Sequence, residues 1–293
     1  MSASDLHTPQ TAEGHLRVPA ESKAPYDAAT EARLRADAAQ VIARYPIKRS
    51  ALLPLLHLVQ SEDGYVSGRG IALCADLLEL ETAEVSGVAT FYTQYKRHPN
   101  GDYTVGVCTN TLCAIMGGDL IWERLSEHLG VGHDETTPDG KITLERVECN
   151  AACDYAPVVM ANWEFFDNQT PESATRLVDD LQAGREVVPT RGADTVATFK
   201  QVSRVLAGFL DGRADEGVGA GPASVLGLKI AHERGWSAPA SADEAREHAA
   251  QDASPVGEAG GLAHGLREST DSHANAPDEK PGEATSTRKE GEQ

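Results

Sequence analysis

Val107-Cys108-Thr109-Asn110-Thr111-Leu112-Cys113 and, thirty-five residues beyond Cys113, Glu148-Cys149-Asn150-Ala151-Ala152-Cys153 decide how this chain is read. These stretches hold four of the five cysteines. Two pairs, each close in sequence and the two far apart, form the usual layout of a four-thiolate metal site. Each pair follows a run of period two. Tyr103, Val105 and Val107 lead into Cys108, and Ile142, Leu144 and Val147 lead to Cys149. Such alternation predicts a strand in both places. If the strands are neighbours, both pairs leave the sheet at one edge. A [2Fe–2S] core has two irons, each needing two protein ligands. One pair per iron therefore suits Cys108, Cys113, Cys149 and Cys153, and backbone N–H groups at that edge can serve the sulfurs. A one-electron change breaks no bond, and no base or nucleophile stands beside the cysteines, which points to electron transfer. Structural zinc is the rival occupant, although zinc pairs are more often spaced C-x2-C. A redox disulfide is disfavoured because C-x-x-C is absent.

Outward from the cysteines, an amphipathic helix follows Gly117-Gly118 with Leu120, Ile121, Leu125 and Leu129, closing at Gly130. Pro138-Asp139-Gly140 is a turn. Pro157–Met160 and Glu164–Phe166 form a hairpin turning near Asn162. Thr170 caps a helix with Pro171 first, carrying Leu177, Val178 and Leu181 and ending at Gly184. Residues 99–185 thus read as a small domain with a four-stranded sheet. Before it, residues 27–98 read as a helical bundle. One helix runs from Tyr26 to about Arg44, a second from Ala51 to about Ser61, a third from Gly68 to Leu78, and a fourth starts near Thr82. Phe91, Tyr92 and Tyr95 are expected between bundle and sheet. The fold class is α+β.

Residues 1–26 read as a disordered arm, and Ser241 to Gln293 as a disordered acidic tail with no aromatics. Between them, residues 186–240 carry one expected helix, Val196 to Leu210, and the apolar Val205, Leu206, Phe209, Leu210, Leu226, Leu228, Ile230 and Trp236. These are too sparse for a core of their own, so this extension is expected to lie along a neighbouring subunit. Cys74 reads as a small buried hydrophobe, His57 as a core or helix-edge histidine, and His98, His128 and His133 as surface residues. Trp122 and Trp163 read as core or interface.

The formal net charge of −19 argues against nucleic acid and anionic membrane surfaces as partners. No apolar run approaches the roughly 20 residues that span a bilayer, and Met1 to Pro25 lacks a signal-peptide pattern. A reducing cytoplasm is the expected compartment, where paired cysteines bind metal more often than they form disulfides.

Further motifs carry a resemblance: Tyr45-Pro46, Leu55-Leu56-His57-Leu58-Val59-Gln60, Gly64-Tyr65, Gly87-Val88-Ala89-Thr90-Phe91-Tyr92, Ala156-Pro157 and Asn162, joined to both cysteine pairs. Over roughly residues 30–185 the chain resembles the 24-kDa subunit family of respiratory complex I, the bacterial NADH-quinone oxidoreductase. The resemblance implies a thioredoxin-like [2Fe–2S] ferredoxin domain behind a helical domain, with one cluster on Cys108, Cys113, Cys149 and Cys153. It implies FMN and NADH on a partner subunit, matching the absence of G-x-G-x-x-G here. The implied partners are that flavin subunit and the adjacent large iron–sulfur subunit. The implied setting is the inner face of the cell membrane, peripheral, within a proton-translocating NADH:quinone oxidoreductase that this chain cannot replace alone. The diaphorase of a soluble NAD-linked hydrogenase or formate dehydrogenase shares the domain, and a zinc-stabilised adaptor is the reading from another class. The family's compact members end near residue 185, so the long extension departs from the pattern.

Overall fold

The computed structural model describes residues 24–237 together with Ser241 and Arg246. The expected arm before residue 24 and nearly all of the expected tail lie outside the described residues. The chain divides into two units, residues 1–227 and 228–293.

The first unit has two centres. Helix α2 (Leu52–Asp63) is apolar on nearly every side, and such a helix must be enclosed. Every residue from Leu55 to Gln60 is buried. Helix α1 (Ala28–Ile42), capped by the Asp27 carboxylate, packs on it through Leu34, Ala38 and Val41. Helix α3 (Gly68–Leu78), capped by Ser67, packs through Leu73, Cys74 and Leu78. Pro54 is tolerated because it falls in the first turn of α2, where no helical N–H bond is lost. Gly64 ends that helix in the left-handed region, at φ 79°. Helix α4 (Thr82–Phe91) packs on α3 and opens with a reciprocal Glu81–Glu84 capping box.

The second centre is a sheet. Strand β1 (Tyr103–Cys108) lies between parallel β3 (Ile142–Val147) and antiparallel β4 (Val159–Ala161). Strands β2 (Glu135–Thr136) and β5 (Glu164–Phe166) complete the order β2-β3-β1-β4-β5. Three more helices belong to this half: α5 (Thr111–Ile115), α6 (Gly118–Leu129) and α7 (Pro171–Gln182). Ile121 and Leu125 of α6 meet Leu177, Val178 and Leu181 of α7 over Val105, Val107, Ile142 and Leu144. Asn162 and Trp163 both take positive φ, 45° and 71°, the two-residue turn that twists with its strands. Asn162 also accepts the Thr104 N–H at 2.8 Å and donates to the Asp102 and Ala197 carbonyls at 2.9 and 2.8 Å.

Several expectations need correction. The sheet has five strands, because β2 is a two-residue polar pair with no periodicity to reveal it. Phe91 and Tyr92 are 78% and 44% exposed, and of the aromatic trio Tyr95 alone is buried. Tyr26 is no part of a free arm; its hydroxyl donates to Asp63 at 2.7 Å, and Arg69 lies over its ring. His98 is half-buried, not a surface group, because Asp134 holds it at 2.9 Å.

The largest correction concerns the extension. Helix α8 spans Phe199–Leu206, shorter than expected, and packs on α2 of its own chain. Its inward face is Phe199, Ser203 and Ala207, while the expected anchors Leu206 and Leu210 are exposed. Small Ser203 and Ala207 allow close approach, and Gln60 Nε2 donates to Ser203 Oγ at 3.3 Å. Phe199 is 1% exposed and stacks on Trp163 at 5.8 Å. Lys200 donates to the Glu62 carbonyl and Arg204 pairs with Asp37, both at 2.8 Å. Phe209 packs on the bundle with Arg204 and Arg44 at 4.1 and 5.8 Å from its ring. Phe199, Ser203, Ala207 and Phe209 therefore pack within their own chain, while Leu206 and Leu210 stay exposed. Helix α9 (Leu226–Glu233) follows with no buried residue. In the second unit Lys229 pairs loosely with Glu233, and Arg234 lies over the exposed Trp236 ring.

Candidate metal centre

Parallel pairing of β1 and β3 puts the cysteine loops side by side. Cys108 lies opposite Val147 in the register, so Cys149 leaves the same edge two residues later. Cys108 is the last residue of β1, and its N–H donates to the Val158 carbonyl at 3.1 Å. The chain then turns through Asn110, whose side chain caps α5 by accepting the Thr111 N–H. The same side chain donates to Glu148 at 3.0 Å, tying the first cysteine loop to the second. Cys113 sits within α5 and is buried, as is Cys108.

Helix α6 begins hard against both residues. A Cβ on Gly118 would lie 2.5 Å from the Cys108 carbonyl oxygen and 2.8 Å from that of Cys113. Only glycine permits this approach. The second loop passes through Ala151 at φ 54° and enters a 3-10 turn, Cys153–Tyr155, before the cis Ala156–Pro157 bond. Cys149 and Cys153 are exposed. Their sulfurs lie 4.0 Å apart, and the Ala151 N–H donates to Cys149 Sγ at 3.3 Å.

The four thiols influence one another. Burial pushes the Cys113 thiol up to about 11; the Val158 N–H opposes this, and Cys108 and Cys153 add to it. Cys153 is raised by its bond with Cys149, then by the Cys149 and Cys108 charges. Thiols packed this way resist becoming thiolates one by one, and cationic metal is what stabilises them together. Beside them Asn150 Nδ2 is buried with no partner, a spare donor next to a site that would carry negative charge. Ala152 and Val158 complete a small apolar wall. Among the described residues no three His, Cys, Asp or Glu side chains converge as round one metal ion. The sulfurs come as two pairs, and that donor set fits a two-iron core.

His57 is buried in the bundle, its ring 4.8 Å from Tyr95, and its Nδ1 has no partner. Burial pushes its pKa down to about 4. His128 meets Asp179 at 2.7 Å. Cys74 is fully enclosed, and burial pushes its thiol up to about 12.

Sequence reading missed a polar groove of about 750 Å³ beside the site, running from Tyr95 and His98 to Cys149. Lys96, Glu145, Asp134 and His98 form ion pairs along it. Burial lowers the Lys96 pKa against the pull of Asp134, and the hydrogen bond to Asp134 raises that of His98. These residues lie in separate elements and share no motif, so spacing alone could not unite them. Also missed was an apolar rim of Leu112, Ile115, Met116 and Leu120, 42%, 76%, 57% and 61% exposed, flanking Cys113. Among the described residues no helix is long and apolar enough to cross a membrane.

Residues 38–182 match the model of the thioredoxin-like [2Fe–2S] ferredoxin family. The E subunit of the NADH-quinone oxidoreductase of Mycobacterium tuberculosis is 62% identical over 209 residues, 71% of this chain and 82% of that protein. NADH-quinone oxidoreductase subunit 2 of Thermus thermophilus is 36% identical over 151 residues, 50% of this chain and 83% of that one. Among solved structures, a chain of an NAD+-reducing [NiFe]-hydrogenase aligns with a TM-score of 0.42 at 19% identity, covering 45% of this chain and 23% of that one.

Proposed function

The chain belongs to the family of the E subunits of NADH-quinone oxidoreductase, the thioredoxin-like [2Fe–2S] ferredoxins, and from that we propose that it is the electron-transfer subunit of the NADH dehydrogenase module of respiratory complex I. Cys108 and Cys113 would hold one iron of a [2Fe–2S] cluster, and Cys149 and Cys153 the other. The observation that carries the reading is the pairing of β1 with β3, which brings both cysteine pairs to one sheet edge. When bound, the cluster supplies a one-electron couple.

The chain's own residues set the conditions for that couple. Cys108 and Cys113 are enclosed while Cys149 and Cys153 face outward, so one end of the site is screened from water and the other is open. The Ala151 N–H bonds to Cys149 Sγ, and the Val158 N–H acts to lower the Cys113 pKa against burial. Such bonds stabilise negative charge on sulfur and raise a cluster's potential.

The partner is the subunit that carries FMN and NADH, with the large iron–sulfur subunit beside it. Leu112, Ile115 and Met116 next to Cys113, with Phe91 and Tyr92 on the bundle, are exposed apolar residues suited to a permanent interface. The chain is peripheral on the inner face of the membrane and works only within the complex, a proton-translocating NADH:quinone oxidoreductase.

Low-temperature EPR on the anaerobically purified, dithionite-reduced full chain tests the site, together with iron and zinc analysis. The expected result is a rhombic iron–sulfur signal and about two irons per chain. Serine at any of the four cysteine positions should alter or abolish the signal. One zinc and no signal would overturn the reading in favour of the structural adaptor.

A further inference from the structure

The second cysteine loop has little to hold it in place from its own half of the fold. Its internal bonds include two 3-10 contacts, Tyr155 N–H to the Ala152 carbonyl and Ala156 N–H to the Cys153 carbonyl, at 3.1 and 3.3 Å. The Asn168 N–H adds one bond to the Tyr155 carbonyl at 2.8 Å. Cys149, Cys153 and Asp154 are exposed. The Ala151 N–H also bonds Cys149 Sγ, Asn110 holds Glu148, and the Gln169 N–H bonds the Pro157 carbonyl at 2.9 Å; the contacts on Asp154 and on the Tyr155 side chain come from the C-terminal extension.

Arg191 is the bracket. Its guanidinium pairs with Asp167 at 2.9 Å, both side chains mostly buried, and lies 4.0 Å from the Phe165 ring centre and 5.5 Å from that of Tyr155. A further N–H of Arg191 reaches the Gly219 carbonyl at 2.9 Å, which fixes the extension where it crosses the loop. There the Ala223 N–H donates to the Tyr155 hydroxyl oxygen at 3.2 Å, and the Ser224 hydroxyl donates to the Asp154 carboxylate at 2.7 Å. The backbone at Gly221 presses on the same ring. A Cβ there would overlap the Tyr155 oxygen and lie 2.7 Å from its Cζ. Residues 219–224 thus touch the two residues that follow Cys153.

We infer that this extension is a strap, with Arg191, Gly221 and Ser224 as positioning residues, that holds the Cys153 loop closed and so governs how firmly the outer iron is retained. The inference rests on the cluster assignment above, but the strap itself can be tested without it. Gly221→Ala is the sharper perturbation: it forces the strap off Tyr155 while leaving every hydrogen-bonding group in place. Ser224→Ala, on an exposed contact, removes one bond without steric load and guards against misfolding of the first variant.

Two readouts on the full chain decide the matter. Hydrogen–deuterium exchange on metal-free protein should rise about fivefold in peptides covering 151–156, the worth of one net hydrogen bond, with peptides of β1 unchanged. Iron transfer from the loaded protein to a chelator, followed by loss of visible absorbance, should quicken by a similar factor in both variants. Unchanged exchange and unchanged iron release in both would overturn the strap. Failure of the cluster assignment looks different: wild-type protein would take up no iron, or Cys153→Ser would retain the same signal, while the exchange measurement still decides the strap.

Discussion

Replacing His57 with leucine should remove most of the acid sensitivity of the bundle. His57 is 8% exposed between leucines of α2, and no neighbouring group offers its Nδ1 a hydrogen bond. Protonation there means a buried charge without a partner, so burial pulls the pKa from 6.5 to about 4. The unfolded chain binds that proton readily near pH 6, whereas the folded chain does not. Stability from this residue is therefore full above about pH 6.5 and falls as the solution is acidified, reaching its whole loss near pH 4. The gap corresponds to about 3 kcal/mol at about 1.4 kcal/mol per pH unit, of which about 2 kcal/mol is gone by pH 5. Leucine fills nearly the same space and carries no proton. Urea unfolding of wild type and His57→Leu at pH 7, 6 and 5 would measure it. The difference between the two proteins isolates His57 from every other titrating group. Parallel loss of stability in the two would refute the reasoning, since it would mean that His57 is solvated or bonded in the folded state.

Phe199→Ala should cost about 4 kcal/mol in chemical denaturation, because the ring is fully enclosed and stacked on Trp163; a loss under about 1 kcal/mol would mean that α8 does not pack as described. Gly118→Ala should destabilise by about 2 kcal/mol and shift the EPR line shape, since the new methyl meets two cysteine carbonyl oxygens rather than a yielding side chain. Asn162→Ala should lower stability by about 3 kcal/mol, one for each hydrogen bond removed, measured by urea unfolding at pH 7; Asn162→Asp, which keeps the Thr104 bond but sets a buried carboxylate against the Asp102 and Ala197 carbonyls, should lose at least as much.

Much of this architecture was legible because local signals agreed with the global fold. Helix α3 has the expected bounds, Gly68 to Leu78, and α7 starts at Pro171 behind the Thr170 cap and ends before Gly184, as expected. Alternation found β1, which ends at Cys108, and β3, which stops at Val147, two residues short of Cys149 where the strand was expected to end. The illegible parts depend on contacts between distant residues. Strand β2 has two residues, and its pairing with β3 is its whole justification. Five-residue α5 is held by an asparagine cap and the neighbouring Gly118 approach. In α8 the anchors Leu206 and Leu210 misled, because the buried face is made by Phe199 with Ser203 and Ala207, whose value lies in being small. The exposure of Phe91 was equally hidden, since an aromatic residue reads alike whether it packs within its own chain or awaits a partner.

The Gln60–Ser203 contact also bears on how the chain is made. Gln60 is wholly buried, bonds the Gln94 carbonyl and Lys96 N–H, and meets Ser203 across 143 positions of sequence. Translation proceeds at about 5–20 residues per second. Helix α2 therefore waits on the order of ten seconds on the ribosome with its apolar flank uncovered before α8 emerges to close it. The N-terminal half is a natural client for a nascent-chain chaperone during that interval, and a stalled or truncated message would release a protein whose sheet could form while its bundle stayed open.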